Sequence, residues 1–172
     1  MKNDQFDNSV NRDNVLSVLR EALSAISHPR FYQTERGFQG ELLVELSNRI
    51  KLSDKTIIEQ EYQKKLMKHG LNIRPDIIIH EPYNNIQHSS MTEGNIAVIE
   101  LKLKANASQA GCDFAKLKKM IEILGYPIGI FINIDSSDNH ANLIPEDVRG
   151  GRIVSFSVFQ CEGAPCVVES QP

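Results

Sequence analysis

Over residues 95 to 134 the sequence shows a strand pattern, then a helical pattern, then a second strand pattern. This succession restricts the possible folds more than any other part of the chain. The first strand, over 95–103, opens with the apolar run Ile-Ala-Val-Ile, and the second, over 128–134, is rich in isoleucine. Between them a helix is predicted over 113–124 from apolar residues at helical spacing, namely Phe114, Leu117, Ile121 and Leu124. Two strands joined through a helix are expected to be parallel, with a right-handed crossover.

Further elements surround this strand–helix–strand unit. Periodic leucines predict helices over 12–27 and 36–51, and apolar runs predict strands near 56–62, 77–79 and 153–159, with an edge strand at 167–168. This mixture predicts an α/β fold with a mixed central β-sheet flanked by helices. The 172 residues suit a single domain over 1–172, with a core over about 36–134, an N-terminal helix over about 12–27 and a C-terminal β extension over about 150–170.

Composition excludes several classes of protein. The formal net charge of −3 excludes a histone-like protein that binds nucleic acid through overall charge, although it allows a local basic patch. We find no apolar run long enough to span a bilayer and no signal-peptide core, so we expect no membrane association. Cys112, Cys161 and Cys166 lack metal-ligand spacing and favour a reducing, cytoplasmic location, with a Cys161–Cys166 disulfide as the alternative.

The residues that carry chemistry lie on two of the predicted strands. Asp76 precedes three consecutive isoleucines, and Glu100 and Lys102 follow the apolar lead of the strand over 95–103. Since side chains alternate along a strand, Glu100 and Lys102 share one face, while Ile99 and Leu101 share the other. If the two strands pair, a carboxylate from each and one ammonium converge.

Paired carboxylates of this kind suit a divalent cation. Mg²⁺ prefers oxygen ligands, keeps several waters and also binds substrate phosphate. A lysine beside the ion can orient the attacking water or offset the charge that develops in the transition state. Asp76, Glu100 and Lys102 therefore predict metal-assisted hydrolysis of a phosphodiester.

Arg74-Pro75-Asp76 followed by Glu100-Leu101-Lys102 resembles the signature of the PD-(D/E)XK nuclease superfamily, which includes restriction endonucleases and Holliday-junction resolvases. The resemblance covers about residues 36–134, and the order of elements agrees with it. It implies a restriction-endonuclease-like αβββαβ core. The connection over 82–94 is long for this family and is either an ordinary loop or an insertion that faces the substrate.

The resemblance also implies roles for individual residues. Asp76 and Glu100 match the metal-binding acids, the backbone carbonyl of Leu101 matches a further metal ligand, and Lys102 matches the catalytic lysine. The acid from the preceding helix, a catalytic residue and metal ligand in this family, is best matched by Glu41, with Glu45 as the rival. Lys116, on the helix after Glu-x-Lys, is the candidate for an auxiliary polar residue.

The function that follows from the resemblance is a nuclease that depends on Mg²⁺, with Mn²⁺ able to substitute. Its partner is a nucleic acid, with DNA favoured, and a homodimer would allow both strands of a duplex to be cut. One alternative is a catalytically inactive nuclease-fold protein that binds nucleic acid or another protein. Another is that Asp76 caps a strand while Glu100 and Lys102 form a solvated charge pair.

Overall fold

The fold was obtained as a computed structural model that describes residues 12–62, 71–148 and 150–170. Its α-helices are α1 (Arg12–Ala25), α2 (Glu35–Arg49) and α3 (Ala107–Leu124). Its strands are β1 (Ile57–Gln60), β2 (Ile77–His80), β3 (Asn95–Leu103), β4 (Ile128–Ile134), β5 (Ile153–Cys161) and β6 (Ala164–Glu169). Short 3-10 helices lie at Pro29–Gln33, Ala141–Leu143 and Glu146–Val148.

The six strands form one mixed sheet in the order β1-β2-β3-β4-β5-β6. Strand β2 is antiparallel to both of its neighbours, β1 and β3. The three strands β3, β4 and β5 are parallel to one another, and β6 is antiparallel to β5. The prediction of parallel strands around α3 is therefore confirmed, as is the predicted mixed sheet with flanking helices. Elements α2, β1, β2, β3, α3 and β4 follow one another in the predicted αβββαβ order.

Helices cover both faces of the sheet, so β3 and β4 are buried on both sides. On one face α1 and α2 pack against alternate residues such as Ile99, Leu101 and Ile130. On the other face α3 packs against Val98 and Phe131. Double coverage explains the near-continuous apolar runs of these strands, because neither face meets water. In the described residues, no helix combines the length and apolarity that crossing a membrane would require.

Helix α3 begins earlier than the sequence pattern predicts, whereas α2 begins within one residue of its predicted start at about Arg36. Helix α3 starts at Ala107, because Asn106 and Gln109 form a reciprocal capping box ahead of the apolar stripe. Helix α2 starts at Glu35, because the Thr34 side chain accepts a hydrogen bond from the Gly37 N–H. The three cysteines are free thiols, so the disulfide alternative is not formed in this structure.

The packing of α3 on β4 requires a glycine at position 129. A Cβ added there would lie 3.2 Å from Leu117 Cβ and 3.2 Å from Ile121 Cδ1. We expect Gly129→Val to lower the free energy of unfolding by about 1–3 kcal/mol through overpacking. Gly111 lies inside α3, and a Cβ added there would have no atom within 4 Å. Gly111→Ala should therefore raise the free energy of unfolding by about 0.5–1 kcal/mol. Urea unfolding of both variants measures the difference, and an equally stable Gly129→Val variant would contradict the described packing.

Candidate active site

The pairing of β2 with β3 brings Asp76 against the middle of β3. Ile77 lies opposite Ile99, and the Leu101 N–H donates a hydrogen bond to Asp76 Oδ2 at 2.7 Å. The main chain of Asp76 is also held, because its carbonyl accepts hydrogen bonds from the Glu61 N–H and from Gln39 Nε2, each at 2.9 Å. The Asp76 carboxylate is thus fixed beside the residue that follows Glu100.

Glu100 is a buried carboxylate, with 3% of its surface exposed. Its Oε2 lies 3.6 Å from Lys116 Nζ, and its Oε1 has no hydrogen-bond partner among the described residues. Burial, and then the negative charge of Asp76, hold the pKa of Glu100 well above its usual range. Burial likewise raises the pKa of Asp76, against the opposing effect of the Leu101 N–H. Two such carboxylates together need additional positive charge.

Lys102 lies on β3 two residues after Glu100 and pairs with a glutamate from the start of α2. Its Nζ lies 3.3 Å from Glu35 Oε1 and 3.2 Å from Glu35 Oε2. Glu35 Oε2 also accepts a hydrogen bond from the Leu103 N–H at 3.2 Å. The Lys102 side chain is 29% exposed, so its ammonium stays in reach of solvent. Its positive charge opposes the rise in the pKa of both Asp76 and Glu100, so it acts electrostatically within the same site.

The helix glutamate beside Lys102 is Glu35, whereas the resemblance to the PD-(D/E)XK superfamily favours Glu41. Glu41 is half-buried and makes no side-chain hydrogen bond or ion pair within the described part of the chain. The rival Glu45 forms an ion pair with Arg49, one turn along the same helix. Glu35 sits in the first turn of α2, which approaches the end of β3, whereas Glu41 lies about 9 Å further along the helix axis and on another face. The structure therefore assigns Glu35, not Glu41, to the contact with Lys102.

Helix α3 adds a second lysine, Lys116, and a fourth acid, Asp113, to the site. Lys116 Nζ lies 2.7 Å from Asp113 Oδ1, and Asp113 is 2% exposed. The sequence singles out Lys116 as an auxiliary residue, but it gives no reason to select Asp113, Glu35 or Gln39. For Glu35 a signal exists, since Thr34 is a good N-cap residue directly before it. For Asp113 and Gln39 we find no local signal, because their roles depend on contacts across the fold.

The donor set fits a hard divalent cation. Asp76 and Glu100 supply carboxylate oxygens, the Leu101 backbone lies beside them, and the unpartnered Glu100 Oε1 is a buried acceptor that a metal would satisfy. Among the described residues, no three His, Cys, Asp or Glu side chains are grouped closely enough to form a metal cluster by themselves. A metal here would therefore take two carboxylates and complete its coordination with main-chain oxygen and water, as Mg²⁺ commonly does.

Comparisons with known proteins give a match to one solved fold. The chain is similar over 92% of its length, and over 80% of the other chain, to P. aeruginosa ATCC27853 NucC in its cAAA-bound form, with a TM-score of 0.48 and 13% sequence identity. No protein-family model matches the chain, and no curated protein is significantly similar to it. This likeness concerns the fold alone, so the function proposed below depends on the side chains of the site.

We predict that Mg²⁺ or Mn²⁺ raises the melting temperature of the chain. An ion that binds only the native state, present at a concentration ten times its Kd, raises the free energy of unfolding by about 1.4 kcal/mol. For a chain of this length that corresponds to a rise in melting temperature of about 3–6 °C. Asp76→Asn and Glu100→Gln should each abolish the rise, because each removes a charged ligand but keeps the shape of the side chain. Differential scanning fluorimetry measures the effect, and Glu41→Gln serves as the control that should respond like the parent.

Proposed function

We propose that this chain is a metal-dependent nuclease that hydrolyses phosphodiester bonds of nucleic acid, with DNA the favoured substrate. The observation that carries the proposal is the convergence of Asp76 and Glu100 from paired strands, with Lys102 on the same strand as Glu100. A buried carboxylate at Glu100 and a half-buried one at Asp76, compensated only in part by Lys102 and Lys116, are costly to maintain without a function. A bound divalent cation accounts for both of them.

In this proposal each residue has a distinct task. Asp76 and Glu100 hold the ion, with the Leu101 carbonyl as a further ligand, and the ion would activate water and stabilise negative charge on the phosphate. Lys102, as an ammonium paired with Glu35, orients the attacking water and offsets charge on the phosphate oxygens. Glu35 fixes the Lys102 side chain through its two carboxylate oxygens.

Hydrogen bonds from outside the charged cluster preorganise it. Gln39, buried in α2, donates to the Asp76 carbonyl, and Asn133 Oδ1 accepts from the Ala105 N–H just beyond β3. These contacts fix the main chain at Asp76, directly before β2, and just beyond the end of β3. A site built on strands is held more precisely than one on loops, which favours a catalytic role over a solvated charge pair.

The first test of the proposal is the role of Lys102. We expect Lys102→Met to lower the rate of Mg²⁺-dependent cleavage by at least about 100-fold while the rise in melting temperature with Mg²⁺ persists, because the lysine is not a ligand. Lys104→Met is the matched control, since Lys104 pairs with Asp135 and is 65% exposed. Cleavage of plasmid, single-stranded and branched DNA and of RNA, with EDTA as the blank, provides the measurement.

Two outcomes of that assay would contradict the proposal. Cleavage by Lys102→Met at the rate of the parent would exclude the mechanism, even if metal binding survived. Binding of nucleic acid or metal without cleavage of any tested substrate would favour the alternative, a nuclease-fold binding protein.

A second test separates the two helix glutamates. We expect Glu35→Gln to slow cleavage by about 10-fold or more, because it removes the charged partner that orients Lys102. Glu41→Gln should leave the rate within about twofold of the parent, since that side chain forms no hydrogen bond or ion pair with a described residue of the site. The measurement is the cleavage rate of both variants at the same Mg²⁺ concentration. A larger loss of rate in Glu41→Gln than in Glu35→Gln would show that Glu41 is the helix acid of the site.

A further inference from the structure

Lys116 occupies a place in the site that the proposed mechanism does not use. Its Nζ lies 3.6 Å from Glu100 Oε2 and 2.7 Å from Asp113 Oδ1. Among the described residues it is the one cation in ion-pair contact with either of these buried acids. Its own side chain is 42% exposed, so the ammonium has solvent on its other side and can leave Glu100 without opening the core.

The charges around Lys116 do not balance. The negative charges of Asp76 and Asp113 both act on Glu100, while Lys102 is shared with Glu35. One oxygen of Glu100 and one of Asp113, Oε1 and Oδ2, are buried without a hydrogen-bond partner in the described structure. A single ammonium therefore pairs with two buried acids and leaves one oxygen of each without a partner in the described structure. Glu100 can consequently bind a cation of higher charge.

We propose that Lys116 is a built-in placeholder for the metal. It neutralises Glu100 while no metal is bound, and a divalent cation that binds Glu100 displaces it by competition for the carboxylate and by repulsion between like charges. Asp113, three residues earlier on α3, keeps the displaced ammonium attached to the helix. Lys116 is thus a positioning residue that partly compensates the charge of Glu100 in the metal-free protein and weakens the affinity for metal. The inference rests on the proposed metal-dependent function.

The experiment is a titration of the full chain with Mg²⁺, followed by thermal unfolding at constant pH. We expect Lys116→Met to melt at a lower temperature than the parent without metal, since it leaves Glu100 unpaired. Its half-maximal Mg²⁺ concentration for stabilisation should be at least about fivefold lower, because the competing cation is gone; this factor corresponds to about 1 kcal/mol. A residue with only a structural role would not produce a tighter metal response in a less stable protein.

Matched variants make the result specific. Lys119 is exposed on the same helix and forms no ion pair with a described residue, so Lys119→Met should keep the half-maximal concentration of the parent. Lys116→Arg should also stay close to the parent, because it keeps the charge. Lys116→Gln replaces Lys116→Met if the latter does not fold, and it should show the same lower half-maximal concentration.

The outcomes distinguish this inference from the function on which it rests. If the parent shows no Mg²⁺-dependent stabilisation, the proposed metal-dependent function fails. If the parent responds but Lys116→Met and Lys116→Gln respond at the same or a higher Mg²⁺ concentration, the placeholder role is overturned and the function stands. An equal decrease in Lys119→Met would also overturn the placeholder role, because the effect would then come from net charge.

Discussion

The burial of Glu100 is the constraint on which the account of the site depends. Strand β3 lies in the interior of the sheet, with α1 and α2 on one face and α3 on the other, so a carboxylate in its middle is removed from water. An ionised carboxylate in such a place needs a cation or hydrogen bonds. The structure provides Lys116 at one oxygen and no described partner at the other. Because Glu100 is compensated only in part, the neighbouring charges of Asp76, Asp113 and Lys102 affect its protonation.

The sequence predicted the sheet well because apolar periodicity reports burial directly. The predicted bounds of β3 and β4 agree with the structure, and their parallel pairing follows from the helix between them. The start of α3 was predicted less accurately. Its first turn is stabilised by the capping box of Asn106 and Gln109 ahead of the apolar stripe, so the stripe alone places the start too late.

The choice of the helix acid depends on the apolar stripe of α2. Glu41 is favoured over Glu45 because it precedes that stripe, and its role stays a prediction. Glu35 lies in the first turn of α2, beside the end of β3, where it meets Lys102 and the Leu103 N–H. Asp113 and Gln39 could not be selected in advance, because a buried polar residue within a helix is recognised by its tertiary partners and not by its neighbours in sequence.

The central claim is that Asp76 and Glu100 hold a divalent cation in place of the Lys116 ammonium. The most direct measurement is an anomalous difference map from a crystal of the full chain grown with Mn²⁺. The account predicts a peak bound by carboxylate oxygens of both Asp76 and Glu100, with Lys116 Nζ withdrawn from Glu100 and still near Asp113. A map with no Mn²⁺ at these two acids, and with Lys116 still paired to Glu100, would contradict it.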